Sequence, residues 1–257
     1  MIRIVIIGSG NVAYSLSHAV ANSELDLVQI CARNREKGEL IARECNCEFT
    51  SDFENIAPAD LYIISVSDKS IENIAKKIKF KDCVVAHTAG SVPLEALSCV
   101  GANHGVIYPL QTFTFSLAMS FENTPMLIEG ASTHALACIR LVCDKLSKRV
   151  IEADSKTRKT VHLSAVFACN FTNHMFVIGE RLLKGQNLDF GLIKPLIEET
   201  TRKALSSDSP LTTQTGPAIR NDYQTKAVHC EMLTEQAELK TMYINLSNSI
   251  WETSKKI

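Results

Sequence analysis

The amino-terminal part of the chain switches repeatedly between two periodicities. Ile2 to Ile7 is a short, mostly apolar run stopped by Gly8, the pattern of a buried parallel strand. Asn11 to Ala21 follows with Val12, Leu16 and Ala19/Val20 on one helical face. The alternation continues, with strands predicted over 27–32, 61–66, 83–86, 105–108 and 126–128, an edge strand over 149–152, and helices over 37–44, 70–78 and 132–146. Strands separated by helices predict βαβ units around a mostly parallel sheet. Beyond Asp154 no strand pattern recurs. Asp154 and Ser155 offer N-cap chemistry for a long helix over 156–183, and further helices are predicted over 190–206, 223–239 and 241–251. A loop holding Pro210, Gly216 and Pro217 separates them. The predicted organisation is an α/β domain over 1–152 followed by a smaller all-α domain over 153–257.

Composition narrows the function classes. The 257 residues are 46% hydrophobic and 21% charged, an ordinary globular balance. Lys and Arg number 27 against 28 Asp and Glu, so there is no basic excess to hold a nucleic acid, and any anion site must be local. Nine cysteines lie mostly in apolar runs, form no C-x-x-C and lack zinc-ligand spacing, so we expect reduced, buried thiols and no metal. The apolar start ends at Gly8, too short for a signal-peptide core, and no uninterrupted apolar run approaches about 18 residues. These features predict a cytoplasmic protein with no membrane span.

The strongest chemical signal is Gly8-Ser9-Gly10-Asn11-Val12-Ala13, a G-x-G-x-x-A turn between the first strand and the first helix. Gly8 permits the tight turn, Gly10 lets a pyrophosphate approach the backbone, and Ala13 lets the helix pack close to the strand. The phosphates would rest on free N–H groups at the positive end of the helix. The end of the second strand selects the cofactor. An NAD site usually places an acid there for the ribose 2′-hydroxyl, whereas this chain has Ala32-Arg33-Asn34-Arg35-Glu36-Lys37. Arg33, Arg35 and Lys37, with Asn34 between them, suit a 2′-phosphate, which favours NADP(H). Two more strand ends, Ser65-Val66-Ser67 and His87-Thr88-Ala89-Gly90, should pass close to the ribose and nicotinamide, and His87 is a candidate proton donor.

Together GSGNVA, the Ala-Arg-Asn-Arg strand end, HTAGSVPLEAL (87–97), GVIYPLQTF (105–113), KTVHLSAVFACNFTNHM (159–175) and TGPAIRND (215–222) resemble one branch of the NADP oxidoreductases. That superfamily includes the deazaflavin-dependent NADP reductase, pyrroline-5-carboxylate reductase and the 3-hydroxyacid dehydrogenases. The chain is most similar to a bacterial group with a Rossmann-like domain followed by an all-helical domain. The resemblance implies a doubly wound parallel sheet, NADP as cofactor, a small-molecule substrate between the domains, and a homodimer built through the helical domain.

The long helix carries polar residues within an apolar stretch. At 100° per residue His162, Cys169, Asn173 and Glu180 fall within about 40° of one another, with Asn170 about 80° and His174 about 120° from His162. Such a strip either meets another polar strip or lines a wet cleft. The resemblance implies that Asn170 and Asn173 orient a carbonyl or imine while His162 or His174 moves its proton. Related 3-hydroxyacid dehydrogenases place a Lys beside the Asn, but here Lys159 precedes Asn170 by eleven positions rather than four. Tyr108 and Gln111 follow a strand end and could contact a polar substrate, and Arg220 could receive its carboxylate or pair with Asp222. Three functions remain open: hydride transfer to a small ketone, imine or hydroxy acid; a non-catalytic NADP-binding regulator; and a reductase acting on a deazaflavin.

Overall fold

The computed structural model describes residues 1–79, 82–117 and 119–255. Eight strands form one sheet: β1 (Arg3–Ile7), β2 (Asp26–Cys31), β3 (Glu48–Thr50), β4 (Leu61–Ile64), β5 (Val84–His87), β6 (His104–Pro109), β7 (Met126–Gly130) and β8 (Val150–Glu152). Their order is β3-β2-β1-β4-β5-β6-β7-β8. Every pairing is parallel except β6 with β7. This is the doubly wound α/β architecture that the alternating periodicities predict.

Because β1 and β4 are covered on both faces, their residues divide by parity. Ile4, Ile6, Leu61 and Ile63 enter one core with α1 (Asn11–Ala21), α2 (Arg35–Glu44) and α4 (Thr133–Leu146), through Leu16, Ile41 and Ile139. Val5, Ile7, Tyr62 and Ile64 enter the other with α3 (Ile71–Ala75) through Ile71 and Ile74. β3 carries no apolar run, since Glu48-Phe49-Thr50 is a three-residue edge, and the sequence pattern misses it. α3 stops at Ala75, short of the helix predicted to residue 78, and closes with turn bonds at Lys77 and Ile78.

Helices alone follow β8. α5 (Ser155–Ala165) runs into a π-helical segment, Val166–Phe171, and on into α6 (Thr172–Lys184). Each π turn closes i→i+5 rather than i→i+4, so a phase count of 100° per residue does not run unbroken from His162 to Glu180. That corrects the helical-face grouping drawn from spacing. The helix is 30 residues long, and averaged over 18 residues its hydropathy reaches 1.2, enough by length and composition to cross a membrane although no uninterrupted apolar run does so. α7 (Lys194–Ser206), α8 (Tyr223–Met232) and α9 (Ala237–Ser254) follow. The predicted break near Lys240 lies inside α9; the actual break is a turn over 233–236 that lacks Gly and Pro and is anchored by buried Leu233.

The chain packs as two compact units, Met1–His174 and Met175–Ile257. Strand structure ends at Glu152, and the first compact unit extends beyond it through α5 and the π segment. In the second unit His229 Nδ1 and the Tyr243 hydroxyl lie 2.8 Å apart, joining α8 to α9.

Candidate active site at the carboxyl edge of the sheet

The glycine turn is built by exclusion. Gly8 has φ +137°, and a Cβ there would lie 2.0 Å from the Ser65 carbonyl oxygen. Only glycine lets the end of β1 press against the end of β4. Gly10 faces the opposite condition, with no atom within 4 Å of the Cβ position. It is the N-cap of α1, has no side chain to cap the helix, and no acidic residue follows in the first turn. The first amides of α1 are thus left for an anion in open space, and the fully buried Ala13 seats the helix on the sheet. These residues fit a dinucleotide pyrophosphate. Val12 is half-buried and Ser9 partly so, whereas Asn11 is exposed and donates through Nδ2 to the Phe113 carbonyl at 2.9 Å.

At the end of β2 the basic cluster divides. The Asn34 side chain caps α2, its Oδ1 accepting the Lys37 amide at 2.9 Å. Arg35 pairs with Glu39 at 3.0 Å and stands 5.9 Å from the Phe49 ring centroid. Lys37 Nζ lies 4.6 Å over the Phe115 ring. Neither Arg33 nor Lys37 forms an ion pair among the described residues.

The next two strand ends are tied together. The Thr88 hydroxyl donates to Ser65 Oγ at 3.3 Å, the Ser67 and Ser70 hydroxyls meet at 3.0 Å, and Ser91 bonds to Asp68. Ala89 donates its amide to His87 Nδ1 at 3.2 Å, so His87 carries its proton on Nε2, which faces the Pro93 carbonyl at 3.4 Å. His87 is fully buried. That burial, aided by the Arg158 charge, pushes its pKa down to about 4. A neutral imidazole with both nitrogens engaged holds the 88–94 loop, which removes His87 as a proton donor.

The chemically poised pair is Tyr108 and His162. The Tyr108 hydroxyl lies 3.0 Å from His162 Nδ1, with the rings edge to face at 5.8 Å and 75°. Desolvation raises the Tyr108 pKa, so the phenol stays protonated and is able to donate to Nδ1. Gly90 sits directly against both rings: a Cβ there would lie 2.8 Å from the His162 ring and 2.9 Å from the Tyr108 ring. The pair therefore abuts the very loop expected to pass the nicotinamide.

One buried cation, which sequence reasoning overlooked, holds these parts in place. Arg158 is 0% exposed and pairs with Glu129 of β7. Its Nη2 donates to the Val92 carbonyl at 2.7 Å and to Ser155 Oγ at 3.2 Å, while Nε finds no partner. Ser155 in turn donates to Glu129 at 2.9 Å and accepts the Leu94 amide at 3.0 Å. Arg158 so locks the 88–94 loop to α5, one turn before His162. Only its spacing of four from His162 gave a signal.

Other predicted residues stand apart from this pair. Gln111 is exposed and folds onto its neighbour, accepting the Thr112 amide at 2.8 Å. Asn170, Asn173 and His174 are exposed, and none makes a side-chain hydrogen bond or ion pair among the described residues. Asn170 lies in the π segment and the other two in the first turn of α6. Arg220 belongs to the second unit, is exposed, and adds to the lowering of the Asp222 carboxyl pKa, which comes first from the Thr225 amide that Asp222 caps. No cluster of three potential metal ligands occurs among the described residues.

Residues 3–90 match the family described as NADP oxidoreductase, coenzyme F420-dependent, and residues 124–250 match a domain of unknown function, DUF2520. No curated protein matches the chain. Among solved structures, a Bacteroides fragilis protein provisionally named an NADP oxidoreductase is 39% identical, with a TM-score of 0.90 and 98% of each chain covered. The fold is shared with a pyrroline-5-carboxylate reductase of Streptococcus pyogenes (16% identity, TM-score 0.61, 100% of this chain and 99% of that one). It is shared equally with a Myxococcus stipitatus imine reductase solved with NADP+ (12% identity, TM-score 0.61, 99% and 93%). The chain belongs to the family of that Bacteroides fragilis NADP oxidoreductase, and itself joins a match to the coenzyme F420-dependent NADP oxidoreductase family to a match to DUF2520.

Proposed function

We propose that the protein is an NADP(H)-dependent oxidoreductase acting on a small ketone, imine or hydroxy acid, with Tyr108 and His162 as its proton relay. The observation that carries this reading is the 3.0 Å contact between the two side chains, pressed against Gly90 at the carboxyl edge of the sheet. The dinucleotide, when bound, supplies or accepts the hydride. The amides following Gly10 and the backbone of Gly8, Ser9 and Val12 would hold its pyrophosphate, Arg33 and Lys37 its 2′-phosphate, and the Ser65–Ser67 and Thr88–Gly90 strand ends its ribose and nicotinamide. In the oxidative direction the Tyr108 oxygen takes the substrate hydroxyl proton as its own proton passes to His162 Nδ1. In the reductive direction the two transfers reverse, from the imidazolium through the phenol to the substrate oxygen or nitrogen. Arg158 keeps both partners and the loop in register. Asn170 and Asn173, with His174, offer amide and imidazole groups to orient the substrate, and Arg220 and Gln111 are candidates for a substrate carboxylate.

The same reading includes a second copy. Leu163, Phe167 and Phe171 are 56%, 63% and 48% exposed on the long helix, an apolar face that a homodimer would cover. A bilayer is a poorer host, because Asn170, Asn173 and His174 would lie desolvated in its middle.

The test is NADPH oxidation with keto acids and cyclic imines, wild type against Tyr108→Phe. We expect at least a tenfold loss of kcat with the NADPH Kd unchanged, on the usual scale of about 100-fold or more for a positioned acid–base group. Undiminished turnover in the variant removes the relay; absence of any NADPH-dependent reduction removes the enzyme reading.

A further inference from the structure

We propose that Phe115 is a positioning residue for cofactor choice, holding the Lys37 ammonium where a 2′-phosphate binds. The proposal rests on the NADP(H) reading above and extends it to a segment that lies far from the glycine turn in sequence. Lys37 occupies the first turn of α2, the positive end of the helix, where a cation is disfavoured. Its flexible stem would otherwise carry the charge into solvent. Instead Nζ rests 4.6 Å above the Phe115 ring, a cation–π arrangement. With no carboxylate paired to it, the ammonium is fixed in place but not neutralised, and its charge remains available to an incoming anion. Arg35, by contrast, is spent on Glu39.

The ring that holds Lys37 is itself held. Phe115 lies 4.8 Å from the Tyr14 ring of α1 and packs against the buried core. Two residues earlier Phe113 stacks on Phe121 at 5.5 Å and 23°, and its carbonyl accepts the Asn11 side chain at the first residue of α1. One short segment after β6 thus ties the start of α1 to the start of α2. That segment follows directly on the end of β6, where Tyr108 lies, so β6 and the connection after it touch the proposed relay at one end and the phosphate cation at the other.

The test is a fluorescence titration of the full chain with NADPH and with NADH. Phe115→Leu keeps an apolar side chain but removes the ring face; we expect NADPH to bind about threefold to fivefold more weakly, the range set by a cation–π contact near the surface, while the NADH Kd stays fixed. Phe115→Trp, which keeps a ring face, should restore NADPH affinity. In a Lys37→Met background Phe115→Leu should add no further loss, because the two act through one contact. Equal weakening of both nucleotides, an unchanged ratio, or additive effects of the two substitutions would overturn the proposal. A wild-type chain that binds NADPH and NADH equally would instead remove the 2′-phosphate reading on which it stands.

Discussion

The two compact units bury their apolar residues very differently. In the first, Ile4, Ile6, Leu16, Ile63 and Ile139 are all at 0% exposure, on a sheet covered on both faces. In the second, the described residues that are buried are Ala218, Leu233 and Ser247, while Leu192, Leu196, Leu205 and Met232 stand 66% to 81% exposed. Apolar content alone does not make a core. A parallel sheet encloses its side chains by geometry, since helices must cross both faces to connect the strands. Helices joined by turns enclose theirs only where another surface meets them. The first unit encloses its apolar residues within its own fold, and the second leaves most of its own at least partly exposed.

The largest test of that contrast is a pair of truncations. Leu16→Ala should cost about 3–5 kcal/mol in denaturant unfolding, the range for a leucine removed from a filled core. Leu196→Ala should stay within about 0.5 kcal/mol in dilute solution, as for an exposed site. A comparable loss at Leu196 in dilute solution would break the contrast. Next is Arg158→Met, which leaves the partly buried Glu129 carboxylate without its partner. We expect a loss of about 3 kcal/mol, part of it recovered by Glu129→Gln in the same chain. Equal stability of Arg158→Met and wild type would mean that the first unit does not depend on this pair. The last effect is one of pH, confined to acid conditions. His87 titrates near 4 in the folded chain and near 6.5 when unfolded, so the unfolded chain binds the extra proton across that interval. Its contribution is complete above pH 6.5 and is lost as pH falls toward 4. His87→Gln should flatten the acid side of the stability profile measured by urea unfolding; an unaltered slope would assign the acid sensitivity elsewhere.

What the sequence disclosed follows the same division. The G-x-G-x-x-A turn and the basic end of β2 were legible because their chemistry is local: a glycine before a helix and charges within five positions. The Arg35–Glu39 pair was legible on the same grounds, since Glu39 stands four residues on along one helix face. Arg158 was illegible because its partner, Glu129, is distant in sequence and only the fold makes the pair. His87 misled for a related reason, since a strand-end histidine looks available until the loop closes over it. The Tyr108–His162 contact joins two candidates that the sequence supplied separately. The π segment left no mark at all in the pattern of apolar and polar positions.

That segment gives the long helix a property a straight one lacks. A π turn holds one residue more than the regular turn it replaces. Its extra residue is taken up within the turn, so the helix beyond keeps its facing. Deleting a single residue within 166–171 would therefore let the helix revert to even winding with Asn173 and His174 still turned to the same side, whereas the same deletion in the regular winding of α6 would swing everything beyond it by about 100° about the axis. At 166–171 the helix can change in length without changing which way its side chains face.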